Sequence, residues 1–139
     1  MQVASPSTGI RVLIVDPHPG VRTALAQALG TAPGIGEVRA VGGAAEALAA
    51  VGTWRPDVVL LETKRRGGDG LDLLRRLARG GEGPPVLVVT SYPDALERLE
   101  VMLAGGSGYL LKDVATEVLV AAVLGAHRTR ETEQGRDDR

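Results

Sequence analysis

Cysteine and phenylalanine are missing altogether from the 139 residues. Without a thiol, nucleophilic cysteine chemistry, disulfide bracing and thiolate metal sites are excluded, and nothing points to an oxidising compartment. Aromatics are scarce: Trp54, Tyr92 and Tyr109 are the whole set, too few for a base-stacking surface. Charge of one sign is lacking as well, since 16 basic residues face 17 acidic ones, which leaves no broad electrostatic footprint for nucleic acid. Lys64 and Lys112 are the only lysines, and arginine supplies the rest of the basic side. No apolar run approaches the ~20 residues that span a bilayer, and the N-terminal MQVASPSTG has neither the charged nor the apolar region of a signal peptide. The expectation is one cytoplasmic domain with no membrane attachment, because a chain near ~150 residues fits one domain and can bury its own core.

What is present alternates. Val12–Val15, Val58–Leu61, Val86–Val89 and the shorter Tyr109–Leu111 are apolar runs without polar alternation, with a weaker run at Gly36–Val41. A strand of that kind must be covered on both faces, as in a parallel sheet between helices. Between these runs, Val21–Leu29, Ala44–Val51, Leu71–Leu77, Asp94–Leu103 and Ala115–Leu124 carry apolar residues three or four apart, Leu96, Leu99 and Leu103 among them, which is helical spacing. Gly- and Pro-rich breaks separate them. The pattern predicts an α/β fold, a doubly wound five-stranded parallel sheet flanked by helices. Residues 1–9 read as a polar N-terminal tail, 10–126 as the domain, and 127–139 as a polar tail or linker stub.

Ligands of open α/β sheets bind at the carboxyl ends of the strands. Those positions hold Asp16-Pro17-His18, Glu62-Thr63-Lys64, Thr90-Ser91-Tyr92 and Lys112-Asp113. Two carboxylates, a hydroxyl and an ammonium are thus expected on one rim. Asp16-Pro17 also reads as a helix start, with Pro19 an equal claimant, and Asp69 as the cap of the helix bearing Leu71–Leu77. His18 has no second ligand beside it and reads as solvated.

The ordered segments RVLIVDPHPGVR, RPDVVLLETKRRGGDGLDLLRRL, PVLVVTSY and AGGSGYLLKD resemble the receiver domains of two-component response regulators, most closely those of the NarL/FixJ type. The likeness covers residues 10–126 and implies the flavodoxin-like receiver fold. It also implies a pocket in which Asp16 is the first metal-binding acid, Thr90 the conserved hydroxyl, Lys112 the conserved lysine and Tyr109, with Thr90, the switch pair. Two positions depart from the pattern: the second acid is Pro17, and the phosphoacceptor aspartate is replaced by Glu62.

Both departures work against phosphotransfer. Loss of one acid removes a charge and a ligand from the magnesium site, so magnesium binding is expected to be weak or absent. The extra methylene of Glu62 displaces the acceptor oxygen, and misplacement of about 1 Å costs on the order of 100-fold in rate. Glu62 either stands in for an acyl phosphate or, with Asp16, simply neutralises Lys112. The loop Lys64-Arg65-Arg66, where the family commonly has Met-Pro at the last two positions, is either a recruiting patch for an acidic ligand or a solvated turn.

Phosphate-loop, dinucleotide, zinc-protease and serine-hydrolase signatures do not occur, so the reading is non-enzymatic. The resemblance implies an aspartate-less signalling module of a transcriptional regulator, a homodimer through Leu96–Leu103 with Val118–Leu124 or through the first and last helices, and a possible small-molecule ligand. DNA is expected to be met only through an output domain, for which the residues after 127 are too few.

Overall fold

The computed structural model describes residues 9–137. Five strands, β1 (Ile10–Val15), β2 (Ile35–Val41), β3 (Val58–Leu61), β4 (Val86–Thr90) and β5 (Gly108–Leu111), alternate with α1 (Pro19–Gly30), α2 (Ala44–Thr53), α3 (Gly70–Ala78), α4 (Ala95–Leu103) and α5 (Thr116–Asp137). The strands form one parallel sheet in the order β2-β1-β3-β4-β5. This is the doubly wound fold expected from the alternation. Residues 1–8 of the tail expected at 1–9 lie outside the described residues.

Alternate strand residues feed two cores. Leu13, Val15, Val59, Leu61, Val86 and Val88 pack with Ala47, Trp54, Leu73, Leu74, Leu77 and Val101 of the α2, α3 and α4 side. Val12, Ile14, Val58, Leu60, Leu87 and Val89 meet Leu25, Leu29, Leu119 and Val123 of α1 and α5. Every residue of β3 and β4 is buried, so the unbroken apolar runs have a direct physical cause. Each such side chain contributes about 1.5–3 kcal/mol of burial.

One open choice is resolved and two local expectations are corrected. Helix α1 starts at Pro19, with His18 as its N-cap, so Asp16-Pro17 precedes the helix. Asp69 does occupy the N-cap position of α3 but makes no cap hydrogen bond, because its carboxylate lies 3.4 Å from Arg65 Nε. Beyond residue 126 the chain is helical through Asp137. That stretch, expected to be a polar tail, carries the side-chain pairs His127–Glu131 and Arg130–Glu133 at helical spacing, which favour a continuous helix, and the Arg130 guanidinium donates to the Gly83 carbonyl.

The apolar stripe of α4 is also placed otherwise than a core stripe would be. Only Val101 of this helix is buried, while Leu96, Leu99, Met102 and Leu103 stand at 51–80% exposure. No helix among the described residues is long and apolar enough to cross a membrane.

Candidate functional site

In the sheet order, the chain steps from β1 outward to β2 and then crosses back to β3 on the other side of β1. The crevice at that reversal is where a doubly wound sheet holds its ligands. Asp16 follows β1 and Glu62 follows β3, so one carboxylate comes from each side of it. Both are buried, at 2% and 3% exposure.

Lys112 begins at the end of β5, three strands away from β1, with its backbone N–H donated to the Thr90 carbonyl. Its long stem carries Nζ to 2.6 Å from Asp16 Oδ2 and 2.8 Å from Glu62 Oε1. Burial alone would depress the lysine pKa, but hydrogen bonding and charge from Asp16 and Glu62 outweigh it and hold the value above its ordinary level.

The other carboxylate oxygens are occupied too. Asp16 Oδ1 accepts the His18 backbone N–H at 2.9 Å and lies 3.0 Å from the His18 ring Nδ1. Glu62 Oε2 accepts the Lys64 N–H at 2.9 Å. Arg22 steadies the β1 end by donating to the Asp16 carbonyl at 2.7 Å. Gly70 closes the other side: a Cβ there would lie 1.9 Å from the Thr63 carbonyl oxygen, so only glycine lets α3 start against the loop.

This arrangement does not fit a magnesium ion. Magnesium requires near-octahedral oxygen ligation at short range, yet all four carboxylate oxygens of Asp16 and Glu62 already face N–H or ammonium groups. The ammonium stands between the two acids, and Pro17 offers no side-chain oxygen. Among the described residues, no group of three or more His, Asp or Glu side chains could hold a metal.

Thr90 is fully buried, and its hydroxyl accepts the Tyr92 N–H at 3.2 Å. It is not hydrogen-bonded to Tyr109. Tyr109 instead donates its hydroxyl proton to Glu97 Oε1 at 2.7 Å and accepts the Asp94 N–H at 3.2 Å. Burial and the neighbouring Glu97 push its pKa up to about 12. Glu97 Oε2 also meets Lys64 Nζ at 2.9 Å. One polar chain therefore runs from Glu62 through the Lys64 backbone and side chain to Glu97 and Tyr109.

Glu97 and Asp94 had no role in the sequence reading, although a signal was there. Asp94-Ala95-Leu96-Glu97 is a capping-box pattern, and Asp94 does cap α4 by accepting the Leu96 N–H. In an ordinary box the glutamate would take the Asp94 N–H. Here Tyr109 is inserted between them.

The basic loop separates into three fates. Lys64 is spent on Glu97. Arg65 is folded inward, its side chain 8% exposed, and donates to the Gly42 carbonyl at 3.0 Å. Arg66 is exposed.

A family profile described as the response regulator receiver domain matches residues 12–124. The DNA-binding transcriptional activator DevR/DosR of Mycobacterium tuberculosis is 38% identical over 122 residues, covering 86% of this chain and 56% of that protein. The nitrate/nitrite response regulator protein NarP of Escherichia coli is 35% identical, covering 84% of this chain and 54% of that protein. The chain thus spans about half the length of these curated relatives. Among solved structures, the signal receiver domain of the putative response regulator NarL from Mycobacterium tuberculosis superposes with a TM-score of 0.78 at 29% identity, covering 86% of this chain and 97% of that one.

Proposed function

This chain belongs to the response regulator receiver domain family, and from that premise we propose that it is an atypical member. In this reading it is the signalling and dimerisation module of a cytoplasmic, non-enzymatic transcriptional regulator, and ordinary aspartate phosphorylation does not control it. The observation that carries the reading is the occupancy of the pocket. Lys112 Nζ lies at ion-pair distance from one oxygen of each of Asp16 and Glu62, and the backbone N–H groups of His18 and Lys64 take the other two. Glu62, a fixed charge paired to Lys112, partly imitates the charge of an acyl phosphate, although a phosphoryl group would bring more charge and three acceptor oxygens.

The exposed apolar side chains support the dimerisation part. All the large ones among the described residues, Tyr92, Leu96, Leu99, Met102, Leu103, Leu111 and Val118, lie on α4 or on the adjoining β4–α4 loop, β5 end and α5 start. A patch concentrated in this way marks an interaction surface, and the self-complementary use of one patch by two copies is the commonest assembly. DNA would be met through an output domain of the kind the relatives' greater length accommodates.

The test is incubation with acetyl phosphate and magnesium, followed by intact mass. Unmodified protein is expected. A stoichiometric phosphoryl adduct would overturn the reading. Restoring an acceptor with Pro17→Asp and Glu62→Asp together supplies the positive control.

A further inference from the structure

Beside the buried carboxylates lies a cleft of about 420 Å³ with a different character. It is lined by Pro17, His18, Lys64, Arg65 and Arg66. Three of the five are permanent cations, the fourth is a histidine, and none is acidic. Two strand ends meet here: Pro17 and His18 lead from β1 into α1, and the three cations follow β3.

The nearby acids are partly engaged with the cleft's own residues: Asp16 Oδ1 lies 3.0 Å from the His18 ring and Asp69 Oδ1 lies 3.4 Å from Arg65 Nε, which leaves Arg66 as the cation with none. Asp16 and Glu62 face Lys112, and Glu97 faces Lys64. Arg66 has no ion-pair partner among the described residues. Arg65 is the more telling residue. Its guanidinium is buried, and Nη2 takes the Gly42 carbonyl. Nε and Nη1 are buried without a hydrogen bond, although Asp69 Oδ1 lies 3.4 Å from Nε. Asp69 balances the charge from the Nε side, so the donor left with nothing to meet is Nη1, and a buried donor left unused is costly. His18 is moreover the N-cap of the 12-residue α1, so the positive end of that helix adds to the same cleft.

We propose that the cleft bounded by His18, Lys64, Arg65 and Arg66 binds a phosphate-type dianion, non-covalently, as a free ion or as the phosphoryl group of a small phosphomonoester. Forked guanidinium donors and a helix N-terminus match the several acceptor oxygens of a tetrahedral dianion better than a single carboxylate. The cleft volume leaves space for the rest of a small metabolite. This binding does not depend on the phosphorylation behaviour of Glu62. No phosphodonor or magnesium enters the experiment, so failure here and failure of the function proposed above are distinguishable.

The test titrates the full chain with orthophosphate, then with glycerol phosphate, against sodium chloride at matched ionic strength, following backbone amide and histidine-ring resonances. Saturable shifts centred on His18, Lys64, Arg65 and Arg66 are expected with both phosphates. Tighter binding of glycerol phosphate identifies a phosphomonoester, and equal or weaker binding a free ion. His18→Asn with Arg66→Gln should weaken binding about 10-fold or more. Both side chains are exposed, so an unchanged urea midpoint shows that folding is intact. The proposal is overturned by shifts that follow ionic strength alone, by shifts spread over the other arginines, or by undiminished affinity in the folded double variant.

Discussion

β3 and β5 are both four-residue parallel strands rich in aliphatic side chains, VVLL and GYLL, but their surroundings differ. β3 lies between β1 and β4 and is buried throughout. β5 is one of the sheet's two edges, partnered only by β4, and its residues are half-buried or exposed. Position in the sheet, more than composition, sets that difference. The central strand delivers Glu62 into a dry crevice, where a charge must be matched almost atom for atom. The edge strand delivers Tyr109 and Leu111 to a flank where side chains can change partners at little cost. Lys112 joins the two, since it starts at the edge and ends in the crevice.

Removing that link should have the largest effect. Lys112→Met keeps the stem and deletes the charge, stranding two buried carboxylates. A stranded member of a buried pair costs about 3–5 kcal/mol, which should lower the urea midpoint by more than about 1 M. An unchanged midpoint would mean that the crevice is no drier than the flank.

Gly70→Ala comes next. It leaves every charge in place but drives a Cβ into the Thr63 carbonyl oxygen, and overpacking of this kind costs roughly 1–3 kcal/mol. Equilibrium unfolding measures the loss. Backbone amide shifts should concentrate at Thr63 and Lys64, where the β3 end must yield, and a variant as stable as the parent would show that this side of the crevice is plastic.

On the edge side, Tyr109→Phe removes one hydroxyl that serves both Asp94 and Glu97. The expected loss is about 0.5–1.5 kcal/mol. Its pH signature has a definite sign. The folded state raises the pKa of Tyr109 to about 12 and raises that of Lys112 as well. Both groups therefore hold their protons more tightly when folded. Their stabilisation is complete below the unfolded values, roughly 10 to 10.4, and is lost as pH rises through the folded ones. Stability followed from pH 8 upward should begin to fall only above about pH 10, and the fall should be shallower in Tyr109→Phe. A decline that is equally steep in the variant would remove Tyr109 from the account.

Much of this architecture is legible from residue order, because an unbroken apolar run has few homes other than a covered strand. The meeting of Asp16, Glu62 and Lys112 is legible for the same reason: once the strands are parallel, their following residues share a rim. Orientation is less accessible. The spacing of Leu96, Leu99 and Leu103 says that they share a helix face, and only packing decides that the face turns outward while Val101 turns in. Charge runs are similarly mute about burial. Nothing in Lys64-Arg65-Arg66 distinguishes the arginine that folds under Gly42 from the one left exposed. Asp69 has the right position for a cap, yet the neighbouring Arg65 draws its side chain away. Local chemistry predicts which partners are acceptable, and the fold decides which arrives first.

The smallest expected effect on stability gives the sharpest contrast between the two regions. Leu99 and Leu103 are 57% and 80% exposed, so replacing both with serine removes little buried area and should change the unfolding free energy of the monomer by no more than about 0.5 kcal/mol per site. If the apolar flank joins two copies, the same substitutions should nevertheless shift sedimentation equilibrium from dimer towards monomer, because each lost side chain then comes out of an interface in the complex. A double variant that dimerises like the parent would assign association to another face, such as α1 with α5. Loss of stability in the monomer itself would mean that the flank is already covered within one chain, and the edge would then differ from the centre only in degree.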